Sequence, residues 1–223
     1  VFGGRIGSVL FYGFQQDSQR YFSDPMAWLA VWDGGMSFHG GFLGVLLAVV
    51  IWSRFNPKTR FWEVTDLLAI SAPIGLFFGR IANFINGELY GRPTDVPWAM
   101  RFPTFGPNGV KDQWTEPRHP SQLYESFLEG LVLLIVLNVM WRNPAIRDRA
   151  GIVTGGFMAG YGFFRFLVEF VRKPDNGIEA GFFKFAGLGT FTTGQELSFP
   201  MIIAGVALML WRRNQTPAGT LAP

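Results

Sequence analysis

The 223-residue chain is 49% hydrophobic and 17% aromatic, with only 16% charged residues, whereas a soluble domain averages about 25%. That leaves too little polar surface to cover it in water, and a formal net charge of +3, dispersed along the chain, argues against a nucleic-acid partner. The absence of Cys excludes disulfides, thiolate metal sites and a cysteine nucleophile within this sequence, and two histidines, His39 and His119, exclude a His-rich metal cluster.

Taken in order, Val1-Phe2-Gly3-Gly4-Arg5-Ile6-Gly7 begins without Met inside an apolar stretch. It reads as part of a piece whose N-terminal portion is missing, and residues 1 to about 14 as the second half of a spanning helix. Met36 to Trp52 reaches spanning length and is closed by Arg54, Lys58 and Arg60. A second span runs from about Asp66 to Asn86, with Pro73 and Gly75 tolerated where neighbouring helices restore lost backbone bonds. Residues 87–120 are polar and rich in Pro and Gly, and predict a structured head or a long loop on the membrane surface. Further spans are predicted at about 121–141, 151–171 and 196–211, with a Gly/Phe-rich surface loop at 178–194. The expectation is an all-α polytopic membrane protein: one integral-membrane domain over 1–223, with five complete transmembrane helices, a partial N-terminal one and a small extracytoplasmic head.

Basic residues are dense in the short segments carrying Arg54, Lys58 and Arg60, then Arg142, Arg147 and Arg149, then Arg212 and Arg213. Those segments, and the C-terminus, are expected on the cytoplasmic side. The loops at 33–41, 87–120 and 172–194 then face outward.

Four groups of residues are candidates for chemistry. In Gly79-Arg80-Ile81-Ala82-Asn83-Phe84-Ile85-Asn86-Gly87-Glu88, helical spacing puts Arg80, Asn83 and Asn86 on one face near a span end. A snorkelling arginine would explain Arg80 alone. A guanidinium at membrane depth costs at least ~2.5–3.5 kcal/mol, so it is normally paired, solvated or bound to an anion. In the fourth full span, Tyr161, Arg165, Glu169 and Arg172 fall within an arc of about 80°. An Arg165–Glu169 pair at i,i+4 could neutralise itself, but that leaves Tyr161 unexplained and the stripe net positive. With Arg80, the stripe predicts an outer-leaflet site for a phosphate, whose oxygens match forked guanidiniums. His39, between Gly34-Gly35 and Gly40-Gly41, is either a structural residue or the chain's best general base. The flanking glycines admit close approach of backbone or ligand. Arg118-His119-Pro120-Ser121 reads as a helix entry, and Glu125 and Glu129 share a face that could balance the basic residues.

Together these segments resemble the bacterial phosphatidylglycerol–prolipoprotein diacylglyceryl transferases. The likeness is carried by Gly3–Gly7, by Asp33-Gly34-Gly35-Met36-Ser37-Phe38-His39-Gly40-Gly41 and by the signature from Gly79 to Arg92. Arg118–Glu125 and Tyr161–Glu169 complete it, and it runs in order to about Trp211. It departs from the family's pattern in its missing start, which in the family holds a further spanning helix and a needed tyrosine. The resemblance implies an inner-membrane enzyme that moves the diacylglyceryl group of phosphatidylglycerol onto the lipobox cysteine thiol of a prolipoprotein signal peptide. The products are a thioether and glycerol-1-phosphate, and no cofactor is implied. Under it, Arg80 and Arg165 hold the leaving phosphate, with Asn83 and Tyr161 as neutral donors. His39 deprotonates the thiol while Glu88 or Glu169 orients or balances charge. Asn86, Gly91 and Arg172 join the substrate-binding set, Gly91 through the chain path. A transporter or flippase for an anionic lipid would also want a basic intramembrane stripe. An intramembrane serine protease is disfavoured, since Ser37 and Ser121 lack the nucleophile-elbow turn.

Overall fold

The computed structural model describes residues 1–10, 21, 23–56, 60–105, 111–173 and 191–215. The chain divides into two compact units, Val1–Val64 and Thr65–Pro223.

In the first unit, helix α1 (Phe2–Ser8) packs on α2 (Phe38–Phe55) through glycine. A Cβ on Gly7 would lie 2.5 Å from Gly40 Cα, and one on Gly3 2.6 Å from the Gly40 carbonyl. The two G-x3-G ridges, Gly3/Gly7 and Gly40/Gly44, let the backbones touch. Backbone approach is therefore what Gly40 serves. Arg5 is buried and donates to the carbonyls of Gly34 and Ala27, tying down the turn in which Gly34 and Gly35 adopt positive φ. Ser37 caps α2 by accepting from Gly40 N at 3.3 Å. Residues 11–14, assigned to the partial span, lie outside the described residues.

α3 (Phe61–Asn86) leads into the second unit, followed by strands β1 (Pro103–Phe105) and β2 (Lys111–Trp114) and the helices α4 (Ser121–Arg142), α5 (Ile152–Val168) and α6 (Thr193–Arg213). α3, α4 and residues Gly194–Arg213 of α6 are long and apolar enough to cross a membrane. The apolar stretches Gly40–Phe55 and Ile152–Val168 are shorter; 17 residues rise about 26 Å against a hydrocarbon core of ~30 Å. Large apolar side chains point outward, as at Ile85 (77% exposed), while Asp66, Gln122, Glu125 and Glu129 are fully buried. Water would select the reverse, so the surface is built for lipid.

The expectation of an all-α chain needs one correction. The segment 87–120 contains the antiparallel ribbon β1–β2, with isolated bridges at Gly91–Arg172 and Pro93–Arg118 that satisfy backbone groups no helix reaches. α3 also begins a turn before Asp66, where the sequence had placed its start. Asp66 is no boundary charge: its carboxylate accepts from Gly151 N and Thr154 N, both at 2.7 Å, and from the Thr154 hydroxyl. It thus caps α5 from a neighbouring helix.

α5 and α6 pack through small residues. A Cβ on Gly155 would lie 2.7 Å from the Gly205 carbonyl, and one on Gly162 3.1 Å from that of Ser198. α4 is pinned to α3, with the Ser126 hydroxyl donating to Phe77 O at 3.1 Å and Gly130 against the Phe77 backbone. Both contacts fall in a stretch, Ser126–Val132, where α4 widens to π geometry. Leu133 and Leu137 below it form a core with Ala69 and Val153, against which Tyr161 packs. The loop predicted at 178–194 lies mostly outside the described residues, and its end, from Thr193, is already α6.

Candidate active site

The predicted face of α3 is present, and a carboxylate from α4 organises it. Arg80 Nη2 lies 2.8 Å from Glu125 Oε2, and Arg165 Nη1 lies 3.3 Å from the same oxygen. Arg80 and Arg165, on helices far apart in sequence, therefore meet on one atom. Arg172 Nε stands 3.9 Å from Glu125 Oε1. Glu169 Oε2 is 3.1 Å from Arg165 Nη2, without the alignment of a hydrogen bond, and 3.9 Å from Arg172 Nη1. The i,i+4 pair of α5 thus exists, but it does not exhaust Arg165.

Beside Arg80 runs a polar relay toward the head. Arg80 Nη1 is 3.5 Å from Asn83 Oδ1, at the limit of a hydrogen bond. The Asn83 and Asn86 amides donate to Glu88 Oε1 at 2.8 and 3.2 Å. Glu88 thus orients two amides, and Glu125 and Glu169 lie against the guanidiniums. The chain then turns sharply: Gly87 has positive φ, and so does Leu89 (φ 56°), a strained conformation for a branched side chain. Buried residues at the start of α4 hold that turn. Gln122 Nε2 donates to Glu88 O at 2.6 Å and Ser121 Oγ to Leu89 O at 3.2 Å. Ser121, read from sequence as part of a helix entry, makes no cap; the Leu89 carbonyl has its hydroxyl.

Gly91 sits where two segments cross. Its N–H donates to His119 O at 2.9 Å, and a Cβ there would meet Val171 O at 2.6 Å and His119 Cβ at 2.8 Å. Arg92 Nε donates to Arg172 O at 2.8 Å, anchoring the segment that carries Arg172. Tyr161 stacks on Phe157, and Glu129, Arg165 and Arg80 lie within electrostatic reach of its phenol. His39 occupies the first turn of α2 in the first unit; its side chain lies outside the described residues.

Three participants carried too little weight in the sequence reading. Glu125 was taken only as charge balance, yet it is the shared anchor of three arginines. Glu129 has both carboxylate oxygens buried and, among the described residues, without a hydrogen-bond partner. Gly194, in the first turn of α6, lies so close to Glu169 that a Cβ would come within 2.6 Å of its carboxylate. A carboxylate against a helix N-terminus is electrostatically favoured, and only the absence of a side chain permits it here. The one available signal was the requirement that buried cations be paired.

What the arrangement can do follows from its charges. Guanidiniums buried among apolar helices and held in fixed directions by carboxylates present forked donors that match the oxygens of a phosphate. Among the described residues no group of three or more His, Asp or Glu suited to a metal ion occurs.

Residues 1–211 match the family described as prolipoprotein diacylglyceryl transferase. A phosphatidylglycerol–prolipoprotein diacylglyceryl transferase of Photobacterium profundum is 50% identical over 221 residues, covering 97% of this chain and 73% of the relative. Transferases of the same name from Vibrio vulnificus and Azospirillum brasilense are 52% and 51% identical. Those matches cover 95% and 98% of this chain, and 70% and 75% of the relatives. With the match running over residues 1–211, this chain belongs to the prolipoprotein diacylglyceryl transferase family.

Proposed function

We propose that this protein transfers the diacylglyceryl group of phosphatidylglycerol to the lipobox cysteine of prolipoproteins. The observation that carries the reading is the convergence of Arg80 and Arg165 on one carboxylate oxygen, at 2.8 and 3.3 Å, in a chain of this family. In the reaction the thiol loses its proton to His39, and the thiolate, the reactive form, attacks the glyceryl carbon that bears the phosphate ester. A C–S bond forms and the C–O bond breaks. The electron pair leaves with the phosphate oxygen as glycerol-1-phosphate.

Arg80 and Arg165 take up the charge that develops on that phosphate, and Arg172 adds a third guanidinium. Asn83, Asn86 and Tyr161 donate to the headgroup. Glu88 orients the two amides, and Glu169 balances Arg165. Gly91 keeps the path beside Arg172 clear. The nucleophile belongs to the substrate, which suits a sequence without cysteine.

The protein works as one integral-membrane domain over 1–223 in the bacterial inner membrane. We assign five complete spans and a partial N-terminal one, the segment 87–120 outside the cytoplasm and the C-terminus inside. The density of basic residues at Arg142–Arg149 and Arg212–Arg213 supports that orientation. Incubation with phosphatidylglycerol and a lipobox peptide, followed by the mass of the peptide, tests the reading. A peptide heavier by one diacylglyceryl group, with glycerol phosphate released, is expected. Unchanged lipid moved between leaflets would instead mark a flippase.

A further inference from the structure

The charged cluster contains three guanidiniums, of Arg80, Arg165 and Arg172, and three carboxylates, of Glu125, Glu129 and Glu169. Five of these six groups lie within 3.9 Å of an opposite charge. Glu129 is the exception: fully buried and, among the described residues, with neither oxygen hydrogen-bonded. It cannot easily swing away. The π segment that carries it is fixed to α3 by Ser126 and Gly130, and Leu133 packs in the core directly below. Single π turns inside α-helices recur at functional positions. The charged and titratable groups facing Glu129 come from each neighbouring element: Arg80 from α3, Glu125 from its own helix, Tyr161 and Arg165 from α5, and Arg172 beyond it.

The charge count assigns Glu129 a task. Over these six groups the charges cancel when all three carboxylates are ionised, and a phosphodiester would add a further negative charge among them in a buried site. With Glu129 protonated, the cluster carries one positive charge and matches the single charge of the headgroup. Glu125 and Glu169 are each held by guanidiniums, so Glu129 is the carboxylate with least to lose by taking a proton. We infer that Glu129 takes up a proton when the anionic headgroup binds, so that phosphatidylglycerol binding is coupled to proton uptake. This makes Glu129 a positioning residue for charge, acting through the arginines. The inference rests on the phosphate-binding role proposed above.

The test measures binding of phosphatidylglycerol, with uncharged diacylglycerol as reference, to the detergent-solubilised protein between about pH 5.5 and 9. Where lipid-free Glu129 is ionised, the wild-type Kd rises up to tenfold per pH unit, as linkage of one proton requires. Glu129→Gln, fixed neutral, should bind at least as tightly as wild type with a flat profile, while His39→Gln keeps the wild-type slope. Calorimetry of the wild type in two buffers of different ionisation enthalpy should show net uptake of up to one proton per lipid. A flat wild-type profile, an unchanged slope in Glu129→Gln, loss of the slope in His39→Gln, or zero proton uptake each overturns the inference. Equal binding of phosphatidylglycerol and diacylglycerol by the wild type would instead overturn the phosphate-binding role itself. Should Glu129→Gln fail to fold, the calorimetric measurement decides alone.

Discussion

Removing the charge of Glu125 perturbs this site most informatively. Its Oε2 stands 2.8 Å from Arg80 and 3.3 Å from Arg165, with Glu125 fully buried and the two arginine side chains 18% and 13% exposed. At an effective dielectric near 20, each contact is a gross attraction of about 5–6 kcal/mol. Desolvation offsets much of it, and removing one partner of a buried ion pair costs ~3–5 kcal/mol, because the other charges stay behind. For Glu125→Gln that takes from Arg80 and Arg165 the carboxylate oxygen they share. In a protein of this size the loss lowers the unfolding midpoint by about 10 °C. The signature lies in its reversal: an anionic headgroup supplies the missing charge, so phosphatidylglycerol should restore more of the midpoint in Glu125→Gln than it adds to wild type. Transfer should fall by roughly 10²-fold, since Arg80 and Arg165 lose the carboxylate charge that holds them together. Thermal unfolding in detergent, with and without the lipid, reads both effects. A variant as stable as wild type, or one indifferent to the lipid, would refute the idea that Glu125 holds the place of a phosphate.

Other outcomes follow from the same geometry. Arg80→Lys keeps the charge but cannot fork across two oxygens, so transfer measured by peptide mass should fall by at least ~10-fold with the fold intact. His39→Gln should depress transfer at neutral pH and leave phosphatidylglycerol binding near wild type; equal loss of both would make His39 structural. Gly91→Ala drives a Cβ to 2.6 Å from Val171 O, costing ~1–3 kcal/mol of stability in a thermal melt and shifting the segment that carries Arg172. Asp66→Ala removes three hydrogen bonds from the start of α5 and should cost ~2–3 kcal/mol, visible as a lowered midpoint.

Much of this was legible because a bilayer imposes its own grammar. The spans near 66–86, 121–141 and 196–211 emerged from apolar length, and the structure moves their ends by at most about a turn. The arc of Tyr161, Arg165 and Glu169 was legible because helical spacing is fixed. What stayed hidden depends on contacts between helices. Asp66 looks like the end of a span until α5 is placed above it, and although the helix does enter at Ser121 as read, nothing in the sequence shows that the Leu89 carbonyl takes its hydroxyl. Glu125 and Glu129 are four residues apart and look equivalent in sequence. Packing makes one the partner of three arginines and leaves the other bare. Gly194 has no sequence signature, since only the position of Glu169 shows why a side chain there is excluded.

The central claim is that Arg80 and Arg165 together grip the lipid phosphate. A structure of the protein with a phosphonate analogue of phosphatidylglycerol, in which the scissile oxygen is replaced by carbon, addresses it without turnover. Phosphate oxygens are expected about 2.7–3 Å from both guanidiniums, with Glu125 displaced from at least one of them. A headgroup seated elsewhere, with Arg80 and Arg165 still closed on Glu125, would contradict it.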